Sequence, residues 1–217
     1  LVLCTGCHLS LSEALHFLKN DKELRQKIDA LLMDEGLQLK GSLQIWHLID
    51  LLHDLIKQES IKKSVKKTLN GLRFASQYGC HTIRPSRLGR VDDPENPRKL
   101  DELIEWLGAE TVEYPEKLDC CGALLMLSHP DAAFTFSGLK LKAVQDLGVD
   151  GLVEACPSCH MMFDMRQKSS GATVGAKLNL PVLYYPQLLG IAMGIKEEEL
   201  GLHLNRSPVD ELLQKIR

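Results

Sequence analysis

The sequence predicts an α/β fold, a mostly parallel sheet with flanking helices. Two observations carry this expectation. Short apolar runs that read as buried strands alternate with stretches of helical apolar spacing. The opening Leu1-Val2-Leu3-Cys4-Thr5-Gly6-Cys7-His8 is echoed by Leu152-Val153-Glu154-Ala155-Cys156-Pro157-Ser158-Cys159-His160, each an apolar run, a C-x-x-C-H turn and a helix start. The chain therefore reads as one and a half copies of a repeat. Residues 1–70 are the C-terminal part of a first copy, and residues 71–217 a complete second copy.

In the first copy, residues 1–3 read as a short buried strand and residues 24–39 as helix plus turn. Residues 43–52 read as an apolar strand running into an amphipathic helix, a pattern repeated at residues 181–189. Residues 73–80, Arg-Phe-Ala-Ser-Gln-Tyr-Gly-Cys, read as a strand ending at Cys80. Pro85, Pro94 and Pro97 mark residues 84–98 as a loop. Residues 100–107 have helical spacing with Asp101 near the start, residues 111–114 form a strand, and residues 134–147 form a helix closed by Gly148. The chain opens at Leu1 inside an apolar run without an initiator Met. It therefore reads as part of a longer protein, with over a hundred further N-terminal residues that hold another cysteine and a Cys-Cys pair.

Bulk composition excludes several classes. The chain has 217 residues, 44% apolar, with a net charge of −3. No broad basic surface for nucleic acid is indicated. No apolar run is long enough to cross a bilayer and no signal peptide opens the chain, so a cytoplasmic protein without a transmembrane segment is expected.

The seven cysteines fall into clusters. An odd count in a reducing compartment points to metal binding or redox chemistry rather than structural disulfides. Cys80, Cys120, Cys121, Cys156 and Cys159 make one complete set. Cys156-Pro157-Ser158-Cys159 brings two thiolates within reach of one metal or cluster, and the helix that follows offers N–H groups that favour thiolate. In open α/β sheets, sites form at the carboxyl ends of strands, where Cys80, Cys120-Cys121 and Cys156 are all expected. Gly122 is expected to let the backbone approach a bulky inorganic core. Five cysteines exceed the four that zinc or a regular cubane needs. The set thus reads as an unusual cluster, or as four ligands plus a reactive thiol.

These residues resemble the cysteine-rich CCG domain found twice in one subunit of heterodisulfide reductases. The resemblance extends to Leu183-Tyr184-Tyr185-Pro186-Gln187-Leu188-Leu189-Gly190 and Glu197-Glu198-Glu199-Leu200-Gly201-Leu202. It implies a non-cubane [4Fe-4S] cluster on Cys80, Cys120, Cys121, Cys156 and Cys159, with Cys4 and Cys7 serving a first cluster in the intact protein. It also implies an oxidoreductase subunit that reduces a small disulfide, or oxidises thiols, beside iron–sulfur and flavin subunits. The alternative is a non-catalytic electron relay, or a structural zinc module, in a succinate or fumarate, glycolate or lactate dehydrogenase complex.

His160 and His81 are candidates to hydrogen-bond a cluster sulfur or position substrate, as is His8. The plainer role for each is capping or packing a helix start. Arg84, Arg87 and Arg90 could bind an anion, although a solvated loop is the simpler reading. The lysine-rich residues 57–67 read as a solvated face, and Met161, Met162 and Met165 as core.

Overall fold

In the computed structural model, residues 1–88 and 91–216 are described. Arg90 lies outside them. The chain runs through α1 (Thr5–Asn20) and α2 (Lys22–Asp34) to α3 (Leu48–Asp50), which continues as a π-helical stretch (Leu51–Ile56) into α4 (Lys57–Ser64). Then follow β1 (Arg73–Gln77), α5 (Cys80–Ile83), α6 (Lys99–Glu105), β2 (Glu110–Val112), α7 (Pro130–Asp146) and β3 (Gly151–Glu154). The chain closes with α8 (Pro157–His160), a second π-helical turn (Met161–Met165), α9 (Gln167–Thr173), β4 (Val182–Tyr184), α10 (Tyr185–Ala192) and α11 (Val209–Ile216).

Among the described residues four strands form one sheet in the order β2-β1-β3-β4, every pair parallel. Side chains alternate across it with the period of two that a pleated strand imposes. Phe74, Val153 and Leu183 face α6 and α10, packing with Leu100, Leu103, Ile104 and Leu188. Ala75, Leu152 and Val182 face α7 and the second π-helical turn, packing with Leu141, Val144 and Phe163. Both faces are covered, as a parallel sheet requires. Each fully buried large apolar side chain contributes about 1.5–3 kcal/mol. No helix among the described residues is long and apolar enough to cross a membrane.

Several boundaries differ from the sequence expectation. The opening run is not a buried strand: Val2 makes a single parallel bridge to His47, while Leu1 and Leu3 are exposed. Likewise, among the described residues, His47 supplies the only strand-like pairing in residues 43–52, and the helix begins at Leu48. One bridge cannot form a buried ladder. β1 stops at Gln77, because Gly79 takes φ +75° and turns the chain, so Cys80 opens a helix instead of ending a strand. A Cβ on Gly79 would also stand 3.2 Å from Cys156 Cβ. α7 starts four residues early, with Pro130 preset for a first helical turn. Met162 is core, but Met165 is 56% exposed.

Candidate metal centre

The carboxyl ends of the parallel strands open on one side, where the cysteine-bearing segments follow. Cys80 comes after β1, the Cys120-Cys121 loop after β2, and the Cys156–Cys159 turn after β3. All five cysteines line one small cavity together with Thr5, Gly6 and His81. Cys121, Cys156 and Cys159 are 5%, 5% and 2% exposed, Cys80 is half-buried, and Cys120 is exposed. All seven cysteines are free.

The turns that carry the sulfurs have local causes. Cys156 is extended, at φ −135° and ψ 121°, and Pro157 opens α8 behind it. Gly122 takes φ +81°, and a Cβ there would lie 2.6 Å from the Ala133 carbonyl oxygen. An added side chain at Gly122 would therefore meet the backbone of α7.

The sulfurs hydrogen-bond one another and accept from neighbours. Thr5 Oγ1 donates to Cys156 Sγ at 3.0 Å, the Gly122 N–H to Cys120 Sγ at 3.3 Å, and Gln77 Nε2 to Cys159 Sγ at 3.7 Å. Hydrogen bonds from Cys121 and Cys80 hold the Cys120 thiol far below its usual range, against the effect of burial. Cys159, then Thr5 among the donors, lower Cys156 to about 5, again against burial. The donating thiols move the other way: Cys80 through its bond to Cys120, Cys121 up to about 12 for the same reason, and Cys159 through its bonds to Cys121 and Cys156. Two of the five sulfurs are thus biased towards thiolate.

Among the described residues, no three His, Cys, Asp or Glu side chains are gathered in a way that would hold a single metal ion. The fit to a metal group lies in the donor set. Five soft sulfur donors around one cavity, two of them biased towards thiolate, suit an iron–sulfur cluster and not a hard cation.

The remaining candidates divide. His81 lines the cysteine cavity. His160 does not. It stacks on Tyr184 with centroids 4.1 Å apart, its Nδ1 lies 3.1 Å from Glu154 Oε1, and burial lowers its pKa. It lines a separate, mostly apolar cavity of about 620 Å³ with His47, Pro157 and Tyr184. That cavity contains no cysteine, so the cysteine set, not the roomier space, defines the candidate site. His8 is buried edge-on to His47 at 5.6 Å. Cys4 and Cys7 stay outside the five-cysteine cavity, although Thr5 and Gly6 between them help to line it. Arg84 is engaged within its own loop, donating to the Pro94 carbonyl and lying 3.9 Å from Glu95.

Two contributors escaped the sequence reading. Thr5 carried a signal, since it sits inside Cys4-Thr5-Gly6-Cys7. Gln77 carried none, because a polar residue in a strand reads by default as solvated.

A family model described as "CCG: Cysteine-rich domain" matches residues 74–164. A subunit of the ferredoxin/F(420)H(2)-dependent CoB-CoM heterodisulfide reductase of Methanosarcina acetivorans is 38% identical over 218 residues, covering 100% of this chain and 72% of that protein. The corresponding subunit of the ferredoxin:CoB-CoM heterodisulfide reductase of Methanosarcina mazei is 36% identical with the same coverage. The 8-methylmenaquinol:fumarate reductase membrane anchor subunit of Wolinella succinogenes is 29% identical, covering 94% of this chain and 71% of its own. Among solved structures, a hypothetical protein from Helicobacter pylori superposes with a TM-score of 0.66 at 18% identity, over 91% of this chain. This chain spans 35% of that one, and the likeness shows the fold alone.

Proposed function

Because the chain belongs to the family of CCG-domain heterodisulfide reductase subunits, we propose that it is an iron–sulfur oxidoreductase subunit acting on a small disulfide. Cys80, Cys120, Cys121, Cys156 and Cys159 would hold a [4Fe-4S] cluster of the non-cubane kind. One observation carries the reading: five cysteines from three distant segments line one cavity at the carboxyl ends of parallel strands. When bound, such a cluster takes up and releases electrons one at a time. Two electrons and two protons convert a disulfide into two thiols, and the reverse balance oxidises the thiols.

The chain's own residues do the rest. Cys121, Cys156 and Cys159 are sealed from water in the core, and Cys120 forms the exposed edge where a substrate sulfur can approach. The hydroxyl of Thr5 and the amides of Gln77 and Gly122 direct positive dipoles at the sulfurs. His81 stands at the cavity wall, where its ring can meet an incoming substrate. Electrons would come from iron–sulfur and flavin subunits of a reductase-type complex, in keeping with relatives named as subunits. A cytoplasmic location goes with seven free thiols.

We read residues 1–70 as the C-terminal part of a first CCG repeat and residues 71–217 as a second. The bridge between Val2 and His47 has the same place relative to Cys4 as the pairing of Glu154 with Tyr184 has to Cys156. On this reading Cys4 and Cys7 serve a first cluster in the intact protein. The Wolinella relative supports a second reading, an electron relay in a fumarate-reductase type complex.

Metal and sulfide analysis with paramagnetic resonance on anaerobically purified protein tests the proposal. Iron and acid-labile sulfide in cluster proportion, with a signal that responds to added disulfide, are expected. A colourless protein holding stoichiometric zinc would overturn it, and an iron signal indifferent to any disulfide would favour the relay.

A further inference from the structure

Beneath the Cys120-Cys121 loop lies a lysine with no part in the site described above. Lys140, on α7, is 1% exposed. Its Nζ donates to the carbonyl oxygens of Lys117 at 3.1 Å and Asp119 at 2.9 Å, and lies 5.8 Å from the centroid of the Tyr114 ring. These three contacts occupy the ammonium group but return no full negative charge. Among the described residues no carboxylate lies within ion-pair distance of it.

The neighbouring Lys117 has what Lys140 lacks. Lys117 is also buried, yet its Nζ is 2.8 Å from Asp101 Oδ2 and 2.8 Å from Glu113 Oε1. A buried cation without a counter-charge is costly, and proteins normally pair it. Burial pushes the Lys140 ammonium down to about 8, and the groups whose negative form would oppose this are Cys159, Asp119, Cys121 and Cys120, in that order. Three of the four belong to the cysteine site. Lys140 and the buried cysteines also share one face of the sheet, since Cys121, Cys156 and Cys159 pack in the core layer that α7 covers.

We infer that Lys140 is the buried counter-cation of the cysteine site. Through the carbonyls of Lys117 and Asp119 it anchors the segment entering the Cys120-Cys121 loop. Its charge offsets the negative charge that thiolates, and a cluster held by them, bring into the core. The inference rests on the cluster reading above and deepens it: Lys140 is a positioning residue, acting through the ligands and not on substrate. A fixed positive charge near a cluster favours its more reduced, more negative state, so Lys140 raises the reduction potential.

The test uses the intact subunit, purified without oxygen and reconstituted with iron and sulfide. Lys140→Gln keeps an amide donor for the carbonyls but removes the charge, and Lys140→Arg keeps the charge. Redox titration followed by paramagnetic resonance is expected to give a more negative midpoint potential for K140Q. Iron retained after gel filtration is expected to fall severalfold in K140Q, while K140R stays near wild type in both. Thermal melting reports whether each variant is folded. If K140Q does not fold, K140M takes its place as the uncharged variant in the same two measurements. A folded, uncharged variant with wild-type potential and wild-type iron retention overturns the inference. Wild type that takes up no iron overturns the cluster reading itself, and the inference falls with it.

Discussion

Two turns of like composition, Cys4–His8 and Cys156–His160, lie in contact and end in different surroundings. Each begins with an extended cysteine, at φ −104° and ψ 123° for Cys4 and φ −135° and ψ 121° for Cys156, and each continues into a helix. Each places its histidine against the ring of the residue that pairs across the strand, His8 on His47 and His160 on Tyr184. Yet Cys7 is exposed while Cys159 is 2% exposed. The difference is the neighbourhood. β3 has β1 and β4 on its two sides and helices on both faces, whereas Val2 has one bridge to His47. A C-x-x-C turn is thus a local device, and burial and charge are supplied to it by segments far away in sequence.

Substitution of cysteines should separate the two turns most strongly. In a reconstituted chain of residues 1–217, Cys156→Ser and Cys159→Ser are expected to lose most of the iron, while Cys7→Ser retains the wild-type amount. Equal losses from both turns, measured by metal analysis, would erase the distinction.

Glycine substitutions come next. Gly122→Ala combines a left-handed backbone with a Cβ 2.6 Å from the Ala133 carbonyl oxygen. It should destabilise the fold by about 1–3 kcal/mol. Gly6, in the first turn, is helical with its nearest outside atom, His81 Nδ1, at 3.5 Å from an added Cβ. Gly6→Ala should be neutral or stabilising by up to about 1 kcal/mol. Urea unfolding of the metal-free protein checks both, and a Gly6→Ala loss as large as that of Gly122→Ala would contradict the geometry.

The contact between the turns is weaker. Thr5→Val removes the donor to Cys156 Sγ and should cost about 1 kcal/mol. Thr5→Ser, which restores the hydroxyl, should recover most of it in the same unfolding experiment.

The smallest effect concerns how the first region is tied to the second. His53, in the first π-helical stretch, lies 2.9 Å from Glu102 on α6 and 2.6 Å from Asp54, and it stacks on Trp106. Burial lowers its pKa, but the two carboxylates outweigh burial and the net shift is upward. The folded state therefore holds the proton more tightly than the unfolded chain. The stabilisation is complete below the unfolded value of about 6.5 and is lost as pH rises through the higher folded value. Half-exposed pairs of this kind contribute a few tenths of a kcal/mol. His53→Gln should remove that pH dependence from the melting temperature, and an unaltered profile would show that the pairs contribute nothing.

Much of the second region was legible because its signals are local. Alternation of Phe74 with Ala75, and of Leu152 with Val153, sends successive side chains to opposite faces of a sheet, as the covered parallel sheet requires. Residues 181–189 were readable as strand then helix for the same reason. The first region misled where an apolar run alone was taken as burial: Leu1 and Leu3 are 69% and 57% exposed. Apolar character specifies what a strand can do with neighbours, and a single bridge does not supply them.

The sequence by itself determined the α/β alternation, the two C-x-x-C-H turns and the candidate role of the five cysteines. Each of these depends on backbone preferences, hydrophobic period or side-chain chemistry within a few residues. Only the tertiary structure decided that Thr5 reaches Cys156 across 151 positions, that His81 joins the cysteines while His160 turns to Tyr184, and that Lys140 lies buried beneath their loop. The electrostatic field at a sulfur is a sum over groups drawn from many segments, and it exists only once packing has brought them within a few ångströms of one another and removed the water between them.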